Sequence, residues 1–218
     1  SIGHLLGVGN DVKLEMKEDG LNPGIGYQGI RIMSMDMLVK TADTPVMWTE
    51  EANATAVWVS TMESTAIREL LADTNWGELD YLLIDMPPGS DRIDNIRSLI
   101  PELAGAVEIT IPSQLSQHIV TKSITKNNKM GVPIIGLIEN MASYVCPHCN
   151  EEGMLFDGED VLKLSEKKSI PYIGKIPFDT RVSQTSKMGS LFYTQFKESV
   201  TGKAITETVD NIEKFINK

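Results

Sequence analysis

The chain has 218 residues, of which 41% are apolar, and carries a formal charge of −10. Its size and apolar share suit a globular domain with its own core, while the acidic balance argues against a surface built for nucleic acid or anionic lipid. No run of about 18 apolar residues occurs, so no membrane-spanning helix is expected.

Residues 1–10 (SIGHLLGVGN) have neither the basic start nor the apolar stretch of a signal peptide. Residues 11–28 are polar and glycine-rich and read as a hairpin or excursion, after which GIRIMSM (29–35) suits a short buried strand. Residues 50–76 place apolar side chains at helical spacing, with Gly77 as a stop signal. The segment YLLID (81–85) is a continuous apolar run closed by an acid and followed by Pro-Pro-Gly. Such a run predicts a strand buried on both faces of a parallel sheet.

The pattern then repeats. Residues 104–112 (AGAVEITIP), 131–140 (GVPIIGLIEN) and 169–177 (SIPYIGKIP) predict three more strands. Helices are expected at 113–130, 158–168 and 178–190, with a final amphipathic helix at 203–217. This alternation predicts an α/β fold with a doubly wound, mostly parallel sheet. No linker divides the chain, so one domain is expected over 1–218.

In such sheets the working residues lie in loops beyond the carboxyl ends of the strands. Three segments end there with distinctive chemistry: Asp85 to Gly89, Glu139 to Met141, and Ile176 to Asp179. Asp85 either holds Mg²⁺ beside the phosphates of a nucleotide, as a Walker B acid does, or caps the next turn. Gly89 has no Cβ to keep a phosphate away from its backbone. Asn140 offers the paired donor and acceptor that an adenine edge requires, or is a turn residue.

The two cysteines form one C-P-H-C unit, Cys146 to Cys149. A C-x-x-C pair in a chain without an export signal reads as metal or redox chemistry and places the protein in the cytoplasm. Zn²⁺ or a four-iron cluster takes about four ligands, and one chain supplies two thiolates. A homodimer in which each copy gives two is the simplest completion. A redox pair, or a turn without metal, is the alternative.

In one continuous order, these segments resemble the Mrp/ApbC/Nbp group of MinD-like P-loop ATPases. SIGHLLG (1–7), GIRIMSMDML (29–38), DTPVMW (43–48), WGELDYLLIDMPPGSD (76–91), GVPIIGLIENMASYVCPHCNEE (131–152) and SIPYIGKIPFDTRVSQTSKMG (169–189) each match a family segment. The resemblance implies a carrier or scaffold for iron–sulfur assembly, with ATP and Mg²⁺ as cofactors and apo iron–sulfur proteins as acceptors. It assigns Asp85 to the Mg²⁺ shell and Gly89 to the γ-phosphate. Asn140, Pro177, Phe178 and Asp179 would surround the base. Cys146 and Cys149 would bridge a [4Fe–4S] cluster between two copies, in an insertion near 141–153, and Zn²⁺ is an expected substitute.

Two departures stand out. The family's Walker A loop, G-K-G-G-V-G-K-S/T, and the D-x-D acid pair are absent from the 218 residues, so a product lacking the first strand and phosphate loop is expected, without ATPase activity of its own. PPGSDRIDN (87–95) replaces the family's P-P-G-T-G-D, which puts the attacking water's position in question. Two other functions compete. One is a dimeric metal-binding module that uses no nucleotide. The other is a positioning ATPase of the MinD type, disfavoured because residues 201–218 lack a basic, aromatic membrane-binding face.

Overall fold

The structure, a computed structural model, describes residues 2–8, 16–17, 20–34, 37, 56–86, 93–145, 149, 151–158, 160–187 and 190–217. They divide into two units, 1–84 with 182–191 and 85–181 with 192–218.

The first unit opens with a short helix, α1 (Ile2–Leu5), and two small antiparallel hairpins. β1 (Met16–Lys17) pairs with β2 (Gly20–Leu21), and β3 (Gly24–Ile25) with β4 (Arg31–Ile32). The strand expected over 29–35 is therefore a two-residue rung, and its Arg31 is exposed. The Arg31 guanidinium donates to the carbonyls of Trp76 and Glu78, tying this hairpin to the segment beyond α2 (Ala56–Ala72). Gly77 stands in that segment at φ +62°, a conformation that suits glycine.

The strand expected at 81–85 is not formed. Tyr81 and Leu82 are exposed, and Leu83 is 86% exposed. An apolar run becomes a buried strand only when neighbouring strands pair with it and other layers cover its faces. Among the described residues, no strand pairs with this segment.

The second unit holds the main sheet. After α3 (Ile93–Leu99), β5 (Ala106–Thr110) leads into α4 (Gln114–Met130). Ser113 caps α4, its side chain accepting from the Ser116 N–H, and Gly131 ends it at φ +68°, so sequence and structure agree closely on this helix. β6 (Ile134–Val145) is central, parallel to β5 on one side and to β8 (Tyr172–Phe178) on the other. β7 (Glu152–Gly153) turns back antiparallel on the far end of β6. α5 (Val161–Lys168) links β7 to β8; α6 (Thr180–Lys187) follows and from Val182 onward belongs to the first unit, and α7 (Phe192–Phe196) and α8 (Val200–Ile216) complete the second.

The sheet is covered on both faces. Ile134 and Leu137 of β6 pack with Val120 and Ile124 of α4 and with Val161 and Leu164 of α5. Ile135 and Ile138 pack with Ile173 of β8 and with Ile212, Phe215 and Ile216 of α8. Near-continuous burial of β6 follows, as a strand with helices over each face requires. Gly174 leaves no room for a Cβ against Thr208, so α8 approaches β8 closely at that point. The α/β fold with parallel strands read from the sequence is what the chain adopts.

Candidate functional site

β6 outruns β5. Its pairing with β5 ends at Glu139 opposite Thr110, yet the strand continues to Val145. The sequence reading ended it at Asn140. The chain continues through an irregularity between Asn140 and Tyr144, with Met141 at φ +53°. A carboxamide before a left-handed residue looks like a turn in sequence, and here the turn signal marks a bulge inside a strand.

Beyond the bulge, Tyr144 and Val145 pair with Gly153 and Glu152. Of the C-P-H-C unit that follows in sequence, Cys149 alone is among the described residues. Cys149 is a free, exposed thiol whose Sγ lies 3.7 Å from Glu151 Oε2. Cys146 lies outside the described residues.

The base-side candidates sit on adjacent strands. Asn140 stands opposite Ile176 in the β6–β8 ladder, one residue before Pro177. Asn140 Oδ1 accepts from the Met141 N–H at 3.0 Å, and its amide NH₂ has no partner among the described residues. The Phe178 ring packs against Tyr144, with centroids 6.2 Å apart.

Asp179 is already engaged. Its Oδ1 accepts from the backbone N–H and Nε–H of Arg181, both at 2.9 Å, and its Oδ2 accepts from Nη2 at 2.6 Å. The Arg181 hydrogen bonds hold the carboxyl below the usual aspartate range, against the opposing effect of burial. The guanidinium lies over Phe196, 4.6 Å from the ring centroid, and 6.0 Å from that of Phe192. Nothing in the sequence reading singled out Arg181; an acid two residues before an arginine was the available signal.

Asp85 is exposed in an irregular segment, and no hydrogen bond or ion pair joins it to the Asn140 or 177–179 groups among the described residues. Gly89 and the segments 43–48 and 87–92 lie outside the described residues. Among those that are described, no group of three or more His, Cys, Asp or Glu side chains converges on a metal position. The described residues of a single copy thus present one exposed thiol, Cys149, a donor set that would need further ligands. No helix among the described residues is long and apolar enough to cross a membrane.

Comparison with known proteins gives this arrangement a context. A family profile described as "ParA: NUBPL iron-transfer P-loop NTPase" matches residues 1–213. An iron-sulfur cluster carrier protein of Saccharolobus solfataricus is 35% identical over 217 residues, covering 99% of this chain and 70% of the relative. A cytosolic Fe-S cluster assembly factor NUBP2 homolog of Dictyostelium discoideum is 36% identical over 189 residues, 84% of this chain and 67% of the relative. Among solved structures, a nucleotide-binding protein in complex with ADP from Archaeoglobus fulgidus superimposes with a TM-score of 0.64 at 30% identity, covering 86% of this chain and 68% of its own. The cell division ATPase MinD of Pyrococcus furiosus shares the fold at a TM-score of 0.52 and 19% identity, covering 74% of this chain and 62% of its own.

Proposed function

We propose that this chain, which belongs to the ParA/NUBPL family of iron-transfer P-loop NTPases, is an iron–sulfur cluster carrier that holds its cargo between two copies of itself. The observation that supports this reading is the exposed, free thiol of Cys149, which lies in sequence between the paired rungs Tyr144–Val145 of β6 and Glu152–Gly153 of β7. An exposed thiol can meet its equivalent across a two-fold axis, and two C-P-H-C units would then supply the four thiolates that a [4Fe–4S] cargo takes. Zn²⁺ would accept the same tetrahedral set. Release to an apo acceptor is thiolate exchange, for which the cluster must be reachable at the surface. The relatives named as carriers and as cytosolic assembly factors support this role and a cytoplasmic setting.

The nucleotide part of the proposal rests on the adjacent loop ends. Asn140 has an amide NH₂ free to donate to a base, and Pro177 and Phe178 follow its ladder partner Ile176. Asp179 would act from a carboxylate already fixed by Arg181, shaping the wall of the base site rather than donating to it. Asp85 is assigned to the Mg²⁺ shell and Gly89 to the γ-phosphate. With a Walker A loop supplied, which the 218 residues do not contain, bound ATP would supply the free energy difference between cluster-holding and cluster-releasing states.

Anaerobic reconstitution followed by an absorbance spectrum tests the carrier reading. A cluster band in the chain that disappears in Cys149→Ser supports it. The same spectrum from chain and variant would contradict it.

A further inference from the structure

A cavity of about 550 Å³ opens beside the paired rungs of β6 and β7, on the α4/α5 side of the sheet. Pro112, Glu139, Ser143, Glu152, Asp160 and Lys175 contribute to its wall. Its construction is specific. Gly158, also on the wall, lies so close to the Pro112 carbonyl that no Cβ fits there, so the loop before α5 is held against the end of β5 by backbone contact.

Two independent features point to a ligand. Ser143 is 3% exposed, and its Oγ has no hydrogen-bond partner among the described residues. A buried hydroxyl without a partner is costly, and native structures rarely leave one unless something else completes it. The second feature is the charge of the wall, three carboxylates against one ammonium. Glu139 Oε2 accepts from the Tyr172 hydroxyl at 2.6 Å and Asp160 Oδ1 from the Leu162 N–H at 2.9 Å, which leaves one oxygen on each without a protein partner. Glu152 and Lys175 have no partner among the described residues.

These carboxylates do not converge as metal ligands do. Separated acids around a roomy cavity suit an extended organic cation, and a volume of several hundred Å³ is that of a small-ligand site. Lys175 narrows the class further. A ligand with positive charge throughout would meet it unfavourably, whereas a monocation that also carries a carbonyl would offer it an acceptor.

We propose that the cavity binds a guanidinium or alkylammonium group borne on a carbonyl-containing frame, as in an arginine or lysine residue. The Ser143 Oγ accepts one N–H, and Glu139, Glu152 and Asp160 balance the charge. Lys175 donates to the carbonyl. The site requires neither a cluster nor a nucleotide, so its failure and that of the carrier reading are separately visible. The same chemistry reaches the cavity either as a free small molecule or as a side chain of a partner protein.

Titration of the ¹⁵N-labelled 218-residue chain decides it. The probes are N-acetyl-arginine amide, its neutral isostere N-acetyl-citrulline amide, and the peptide acetyl-Gly-Arg-Gly-amide. The arginine probes should shift the Gly153 and Gly158 amides, and the citrulline probe should bind about tenfold more weakly for loss of a charge-assisted contact. Ser143→Ala, which removes an unpaired hydroxyl and should fold, and Glu152→Gln should each weaken the arginine probes. Tighter binding of the peptide would assign the site to a partner's side chain, and equal affinities would assign it to a free small molecule. Equal binding of the citrulline probe, or affinity unchanged in both variants, would overturn the proposal.

Discussion

Tyr144 packs its ring on that of Phe178, at 6.2 Å between centroids and 44° between planes. The two are also opposite one another in the β6–β8 ladder. Tyr144 lies two residues before Cys146, and Phe178 ends β8 within the segment proposed to line the base. The contact therefore joins the end of β6, just before the C-P-H-C unit in sequence, to the strand end proposed to line the nucleotide base.

If that contact is a physical link, its energy is measurable. A double-mutant cycle with Tyr144→Ala and Phe178→Ala, followed by denaturant unfolding, should give a coupling of about 0.5–1.5 kcal/mol, the range for aromatic pairs beyond their burial. Tyr144→Phe keeps the ring and should retain most of it. A coupling indistinguishable from zero would mean that the rings are merely adjacent.

Glu108 gives the stability of this chain a particular pH dependence. It is buried on β5, and its Oε1 accepts from Ser123 Oγ at 2.8 Å and from Asn127 Nδ2 at 2.6 Å. Burial raises its pKa above the ordinary glutamate value, with the Ser123 and Asn127 hydrogen bonds opposing in part. The unfolded chain therefore releases this proton first, from about pH 4.3 upward. The folded state loses relative stability as pH rises from there through the folded pKa, and the loss is complete above it. Glu108→Gln keeps both hydrogen bonds and removes the ionisation. It should raise the melting temperature at pH 7 and leave it nearly unchanged at pH 4. A lower melting temperature at pH 7 would show that the ionised carboxylate is net stabilising.

How much of this was legible in the sequence depended on where the determining physics sits. α4 and α8 carry their own caps and apolar periodicity, so their bounds were read to within a few residues: 113–130 against Gln114–Met130, and 203–217 against Val200–Ile216. β6 was found but ended early, because its passage through Met141 depends on pairing with β7 and β8 rather than on local preference. The run 81–85 has every local mark of a strand and remains exposed, because strand formation is decided by neighbours. The candidate site followed the same division. The C-P-H-C spacing and the E-N-M segment are visible as patterns in the sequence, whereas the Arg181 grip on Asp179 and the cavity around Ser143 exist only through tertiary placement.

Nucleotide binding by these 218 residues should be weak. In P-loop proteins the affinity comes largely from backbone N–H groups and the lysine of the phosphate loop, and no G-x-x-x-x-G-K-[ST] sequence is present. Loss of several charge-assisted hydrogen bonds at about 1.5–3 kcal/mol each lowers affinity by orders of magnitude, at about 1.4 kcal/mol per tenfold. Calorimetry with Mg·ATP should find no binding at micromolar concentrations and no ATPase activity, with Asn140→Ala indistinguishable from the parent. Micromolar affinity would reveal a phosphate site in this chain that the motif does not describe.

The central claim is that two copies of the C-P-H-C turn share one metal centre, and metal content measured against assembly mass tests it most directly. The anaerobically reconstituted chain, analysed for iron, sulfide and zinc alongside light scattering, should contain one centre per dimer. Cys146→Ser and Cys149→Ser should each lose the metal and weaken the dimer together, because ligand binding and assembly are linked. One centre per monomer, with no dimer in solution, would contradict the account.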